Sequence, residues 1–373
     1  MSENNLANPW DSFTFPRTGH VVRNRAVLAA MTNKQSHEDG SISDQEIRWL
    51  NRRAKGEFGI VTTAAANVSE DGQGWEGEIG LYHDRQIENL RKLVNSVHDN
   101  GGLLFGQLFH GGMRAPESLT GNIPISASKI ACEDSSSGFT RSASLDDINR
   151  IIQDFKLAAE RCVKSGFDGV ELHGAHGYLI TQFLGKKTNT RKDDWGGDLK
   201  GRSNFLVKIY RSIKKSVPES FIVGVKISPE IEDLGINLDD SIELVELLKG
   251  EGIDFLHLSC WDVFKRSKQY PDDPKTLTQW FTENISDLPV LISTGSVWSS
   301  ADAQNLIKQG SDLVGVAKVG IPYPDWPKNL QKEDYSPLPA PFTVQQLQEA
   351  DLGDVFINYM CKWKGFVENG NEL

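Results

Sequence analysis

Glu171-Leu-His173-Gly-Ala-His176-Gly-Tyr178 is the densest concentration of chemistry in the sequence, with two imidazoles and a phenol inside six residues. Donors aimed at one oxygen stabilise charge that builds there in a transition state, and a tyrosine can act as a general acid. Two other readings stand beside this one: loop histidines satisfied by backbone groups, and a His-x-x-His metal pair that lacks the adjacent acid of the zincin arrangement. A second group is Gln107 and His110 in Phe-Gly-Gln-Leu-Phe-His-Gly-Gly. An amide there could read a ring edge with both donors and acceptors, such as a pyrimidine, or serve as a structural glutamine. A third group is Thr294-Gly295-Ser296 with Ala317-Lys318-Val319-Gly320. Small residues free backbone N–H groups for a phosphate and Lys318 adds a point charge, although tight loops use the same residues. A polar ring edge beside a phosphate outlines a nucleotide-like cofactor.

Residues so far apart in sequence need a frame that gathers them. Eight apolar, β-branched runs recur, each followed by a turn and an amphipathic helical pattern: Ala26 to Met31, Ile60 to Ala65, Leu103 to Leu108, Gly169 to Leu172, Ile222 to Ile227, Phe255 to Ser259, Pro289 to Ser293 and Leu313 to Val316. The alternation predicts a parallel sheet covered by helices. Ser43-Asp-Gln-Glu46 reads as a capping box and Ser144-Leu-Asp-Asp147 approximates one. Ile148, Ile151, Ile152, Phe155, Ala159 and Cys162 share one helical face. Gly101, Gly166, Gly252 and Gly310 each stand between a helical pattern and a strand, where a left-handed cap belongs.

This count favours an α/β protein of the (β/α)8 TIM-barrel class over an open doubly wound sheet, and no G-x-G-x-x-G follows the first strand. The expectation is a single domain over residues 1–373, with a lead-in over 1–20 and a C-terminal extension from about 331. Two long excursions, His110 to Ser144 after strand three and Gly185 to Arg202 after strand four, would lie on the C-terminal face where barrels build active sites. The polar end, Glu368 to Leu373, is the one candidate tail.

Composition narrows the function. With 373 residues, 40 Lys and Arg against 51 Asp and Glu give a formal charge of −11, so the chain lacks the basic surface that nucleic acid requires. No apolar run reaches the ~18 residues of a membrane span and the start carries no signal-peptide pattern, so a cytoplasmic, membrane-free protein is expected. Cys132, Cys162, Cys260 and Cys361 are too scattered for a disulfide scaffold, a zinc ribbon or an iron–sulfur cluster, and no metal site is expected.

A long spaced string gives a sharper reading. Asn24-Arg-Ala-Val-Leu-Ala-Ala-Met-Thr32, Ser36-His-Glu-Asp-Gly40, Gly106-Gln-Leu-Phe-His110 and Glu171-Leu-His-Gly-Ala-His-Gly-Tyr-Leu179 are followed by Gln182-Phe-Leu184, Asn189-Thr-Arg191, Asp193 and Trp195-Gly-Gly197 through Arg202. Over about Val21 to Trp326 the chain resembles the old yellow enzyme family of FMN-dependent ene-reductases, in particular its YqjM-like bacterial branch. The resemblance implies noncovalent FMN in the barrel mouth, reduction by NADPH or NADH, and a small enone or enal as substrate. It matches His173 and His176 to the pair that binds the substrate's carbonyl oxygen, Tyr178 to the proton donor, and Gln107 to the amide at the flavin pyrimidine edge. Thr32 matches the residue near flavin N5 and O4, and Ala65 a backbone contact to the isoalloxazine. Lys226 matches the family's arginine beside flavin N1 and O2, and Ala317-Lys318 its phosphate contact, with Gly295 and Ser296 in the preceding loop.

The chain departs from the family pattern where charge matters. Lys226 and Lys318 replace arginines and so lose the planar bidentate fork. Lys34 replaces a substrate-contacting tyrosine, Thr32 a cysteine and Trp195 a tyrosine, so an altered pocket is expected. Two alternatives accompany the ene-reductase reading: a flavin reductase acting mainly on quinone, nitro or oxygen acceptors, and a degenerate barrel without catalysis. Homo-oligomerisation and the choice between the nicotinamides stay open, as does whether the C-terminal Trp363-Lys-Gly-Phe366 nears an active site or is a packed surface segment.

Overall fold

The computed structural model describes residues 7–370; the first six residues of the lead-in and 371–373 of the candidate tail lie outside the described residues. Eight strands close into a barrel: β1 (Ala26–Leu28), β2 (Ile60–Asn67), β3 (Leu103–Phe109), β4 (Gly169–Gly174), β5 (Ile222–Ile227), β6 (Phe255–Trp261), β7 (Val290–Gly295) and β8 (Leu313–Val316). Every neighbouring pair is parallel, with β5 paired to β6 to complete the ring. All eight expected strands are present, and both chemistry-bearing ends, β4 and β7, run two residues further than expected. Strand β1 is shorter than expected, which leaves Ala29 to Met31 outside the sheet on the way to Thr32.

Helices α1 (Asp44–Lys55), α2 (Ile87–His98), α3 (Leu145–Ser165), α4 (Leu199–Lys214), α5 (Leu238–Glu251), α6 (Leu277–Asn284) and α7 (Ser300–Lys308) follow β1 to β7 in turn. The expected stripe of α3 is buried except at Ile152, which is half-buried. Gly101, Gly166, Gly252 and Gly310 take φ of 70°, 94°, 79° and 97°, the left-handed region that a Cβ disfavours. The Ser144–Asp147 capping box forms in full. The one at Ser43 forms only by half: its hydroxyl accepts from Glu46 N, but the Glu46 carboxyl turns away to Asn33 Nδ2 (2.8 Å) and Ser36 Oγ (2.5 Å). That diversion ties the segment around Thr32 and Lys34 to α1.

The excursion after β3 contains a two-residue strand pair, Ile125–Ser126 with Arg141–Ser142. The excursion after β4 is shorter than expected, because Asp198 caps α4 and its last residues are already helical. An N-terminal hairpin, Phe13–Thr14 with Val21–Val22, was not expected; it seals the far end of the barrel with Phe15. The C-terminal extension packs onto the barrel through Arg53, which is fully buried, lies 4.5 Å over the Trp49 ring and donates to the carbonyls of Gly320, Ile321 and Ala350. Among the described residues no helix is long and apolar enough to cross a membrane.

Candidate active site

The inward faces of the strands divide into two tiers. At the N-terminal end Val27, Ile60, Phe105, Ile222, Phe255 and Val290 pack with Phe15 into a dry plug. Phe105 stacks on Phe255 at 5.5 Å, and a Cβ on Gly224 would fall 2.3 Å from the Phe255 ring, so glycine leaves that ring its space. Toward the C-terminal end the inward positions become polar. Gln107, Glu171, His173, Lys226 and His257 are each at most 3% exposed and point into a mouth rimmed by exposed His176, Ser296 and Lys318.

The end of β4 brings three rings together. His176 and Gly177 take φ of 61° and 82°, and this left-handed turn folds Tyr178 back over the strand before the short helix Leu179–Leu184. The His173 ring lies 4.9 Å from that of His176 and 4.8 Å from that of Tyr178, both edge to face. Left-handed backbone at a histidine is strained, and such strain persists where its surroundings over-determine it. Here Ser259 Oγ meets His176 Nε2 at 2.7 Å, and Arg114 Nη1 donates to the His176 carbonyl at 2.7 Å. Tyr178 is walled by Phe109 at 4.9 Å and Trp75 at 6.4 Å, with the Arg114 guanidinium 4.8 Å from its ring.

Burial and surrounding cations set the protonation states. Burial, with the nearby charges of His176, Lys226 and Arg114, drives the His173 pKa well below the usual imidazole value. His176 meets solvent at its edge but sits deep among protein atoms, and that desolvation with Lys226 and Arg114 lowers it too. Both are therefore neutral at pH 7, each with one N–H to donate. Burial raises Tyr178 to about 12, so it keeps its proton at neutral pH. Burial also raises Glu171, but His257, Lys226 and two hydrogen bonds overcome it and keep the group a carboxylate.

Gln107 and His110, grouped by sequence, part in the structure. Gln107 faces the barrel interior, with its amide Nε2 donating to Glu171 Oε1 at 2.6 Å. His110 is buried among loops, where Nδ1 accepts from Gly112 N at 3.0 Å and Nε2 lies 3.6 Å from Asp71. Lys226 aligns with His173 on β4 and with His257 on β6. It is 2% exposed and feels the charge of the Glu171 carboxylate, so it places a buried cation below the mouth that fits an acceptor-rich or anionic ring edge. Thr32 is half-buried at the end of its segment, and Ala65 lies beyond a register shift in β2, 6% exposed beside Trp75, Phe109 and Tyr178. At the end of β7, a Cβ on Gly295 would stand 2.6 Å from the Trp261 backbone, while Ser296 Oγ donates to the Trp261 carbonyl. Ala317 precedes the single turn Lys318–Gly320, and Lys318 Nζ rests 5.8 Å over the Trp363 ring. Trp363 therefore reaches the rim, while Phe366, three residues on, packs on Phe342 at 5.2 Å.

Sequence reasoning gave no role to Ser259, His257, Arg114, Trp75 or Phe109. A usable signal existed for two of them: His257 and Ser259 alternate on an expected strand, so both point inward if either does. Arg114 and Trp75 lie in loops whose path nothing local specifies.

These residues fit FMN: a buried cation and an amide suited to a ring edge, small residues along β2, and glycine with an exposed lysine at the rim. The profile of the NADH:flavin oxidoreductase / NADH oxidase family matches residues 18–336. The chain is 34% identical over 322 residues to a probable NADH-dependent flavin oxidoreductase, YqiG, of Bacillus subtilis (strain 168), covering 85% of this chain and 86% of that one. It is 32% identical to an NADH:fumarate oxidoreductase of Klebsiella pneumoniae (strain 342), covering 84% of this chain but only 35% of that protein. The old yellow enzyme homologue from Zymomonas mobilis superposes with a TM-score of 0.78 at 24% identity over 91% of this chain and 96% of that one, a likeness of fold. The sequence string, the barrel and the family match agree: the chain belongs to the NADH:flavin oxidoreductase / NADH oxidase family, as an old yellow enzyme-type oxidoreductase that uses FMN and NAD(P)H.

Proposed function

We propose that this oxidoreductase reduces the activated C=C bond of α,β-unsaturated carbonyl compounds and related electron-poor alkenes, with His173 and His176 binding the substrate oxygen and Tyr178 supplying the proton. The convergence of a second neutral imidazole and a protonated phenol, each within 4.9 Å of the His173 ring, carries this reading. FMN, when bound, supplies the hydride. Negative charge then builds on the substrate's oxygen, and the N–H groups of His173 and His176 stabilise it more strongly than they stabilise the ground state. Their neutrality matters, because the donors need carry no charge into a dry site. Tyr178 Oη donates to the α-carbon as general acid. Phe109 and Trp75 hold the phenol and exclude water around it. Gln107 and Lys226 would read the pyrimidine edge of the cofactor, Thr32 and Ala65 its central portion, and Gly295, Ser296, Ala317 and Lys318 its phosphate. Fumarate, named in one relative, carries a C=C bond conjugated with carboxyl groups, which is consistent with this class of acceptor.

The test follows the flavin spectrum. NADPH or NADH should bleach the bound FMN anaerobically, and a simple enone should restore the oxidised spectrum in a single phase. Reoxidation by quinone or oxygen alone, with enones inert, would assign the site to those acceptors instead.

A further inference from the structure

A continuous hydrogen-bonded chain crosses the barrel between the apolar plug and the mouth. Gln107 Nε2 donates to Glu171 Oε1 at 2.6 Å, Glu171 Oε2 meets His257 Nδ1 at 2.5 Å, and His257 Nε2 meets Thr294 Oγ1 at 2.6 Å. The four residues come from β3, β4, β6 and β7, and none is more than 9% exposed. An ionised carboxylate only accepts, so it fixes the proton on every partner. Gln107 must present its amide N–H to Glu171, which leaves its carbonyl oxygen for a ligand. His257 must carry its proton on Nδ1, so Nε2 accepts from the Thr294 hydroxyl. One step further up the same inward faces stands Lys226, whose charge Glu171 balances in this dry interior.

We propose that Glu171 and His257 are positioning residues of the FMN site. They lock the Gln107 amide in the orientation that offers its carbonyl to the ring edge, and they hold a negative charge near Lys226 that limits how strongly the lysine favours the reduced cofactor. The proposal rests on reading the mouth as the FMN site. The energetic reason for such a chain is that a half-satisfied buried polar network is worse than none, whereas this one leaves each member a partner. Reduced FMN carries negative charge near its pyrimidine at neutral pH. A lone Lys226 would therefore stabilise it, and Glu171 offsets that effect.

The experiment compares the affinities of oxidised and reduced FMN, from fluorescence quenching and the midpoint potential of the bound cofactor. Wild-type protein is measured first, and failure to bind FMN would remove the site reading itself. With FMN bound, Glu171→Gln should shift the balance toward the reduced form by about tenfold or more, about 30 mV for a two-electron couple. Glu171→Asp, which keeps the charge, should stay within about threefold of wild type even where total affinity falls. His257→Leu removes a donor that keeps Glu171 ionised and should move the balance in the same direction as Glu171→Gln. His257→Gln can still donate to the carboxylate and should not. If Glu171→Gln fails to fold, the two His257 variants decide. Equal shifts for Glu171→Gln and Glu171→Asp, or no shift for His257→Leu, would overturn the proposal.

Discussion

The two tiers of the barrel interior are built by the same strands only a few residues apart, yet they obey different rules. On β3, Phe105 belongs to the plug and Gln107 to the polar tier; on β6, Phe255 and His257 divide in the same way. In the lower tier shape and volume matter, and its aromatic rings need only neighbours. In the upper tier every side chain needs a specific partner, because an unpaired polar group in a dry interior costs ~1–3 kcal/mol. Function occupies the tier where the interior meets the loops, and the plug beneath gives it a rigid floor.

If the tiers are separable, damage to each should register in a different measurement. The largest effect on stability belongs to the plug. Phe105→Ala should cost about 3–5 kcal/mol in chemical denaturation, since it empties the stack between Phe15 and Phe255. The surviving folded fraction should keep its FMN spectrum; a folded fraction that has lost its FMN would mean that the tiers are coupled. In the upper tier, His173→Ala with His176→Ala should lower enone turnover by at least 10²–10³-fold, the cost of one lost donor to a developing oxyanion. The same variant should lose the long-wavelength band that phenols give with bound flavin, and unchanged phenol binding would remove the pair from the site. Tyr178→Phe should slow reoxidation by an alkene about 10²-fold and leave reduction by nicotinamide near normal. Equal slowing of both halves would contradict the proton-donor role.

The smallest effect is the sharpest test of burial. His173 is neutral in the folded protein well below the pH at which the unfolded chain protonates its histidines. Acidification therefore adds a proton to the unfolded state first, and stability falls as pH drops through about 6.5. Relative to His173→Gln, wild type should lose about 1 kcal/mol between pH 6.5 and 5.5. The comparison with the variant cancels the opposing contributions of His98, Glu46 and Glu78, whose pKa values are raised. A pH-independent difference would place His173 in water.

Much of this architecture was legible because the strand runs and their punctuation are local signals. Gly166 and Gly252 cap their helices as expected, while Gly101 and Gly310 stand just past caps formed by Asp99 and Gln309; all four take the left-handed turn, which depends on each residue's own φ. The Ser43 box was half misread because Glu46 is within reach of Asn33 and Ser36 only once the segment after β1 folds back onto α1. The hairpin that seals the barrel was missed for a related reason. Its two-residue strands carry almost no periodicity, and their meaning lies in what Phe15 touches.

By itself the sequence determined the eight-strand rhythm, the cluster at His173, His176 and Tyr178, and a family likeness carried by spaced motifs. These depend on residue type and on separations along the chain. Only the tertiary structure decided that Gln107 answers to Glu171 while His110 serves the loops, that Ser259 and Arg114 hold His176, and that the C-terminal Trp363 reaches Lys318. These pairings span strands and loops up to dozens of residues apart. No local preference encodes them, and they exist only because closing the barrel brings strand ends and the loops above them within contact distance.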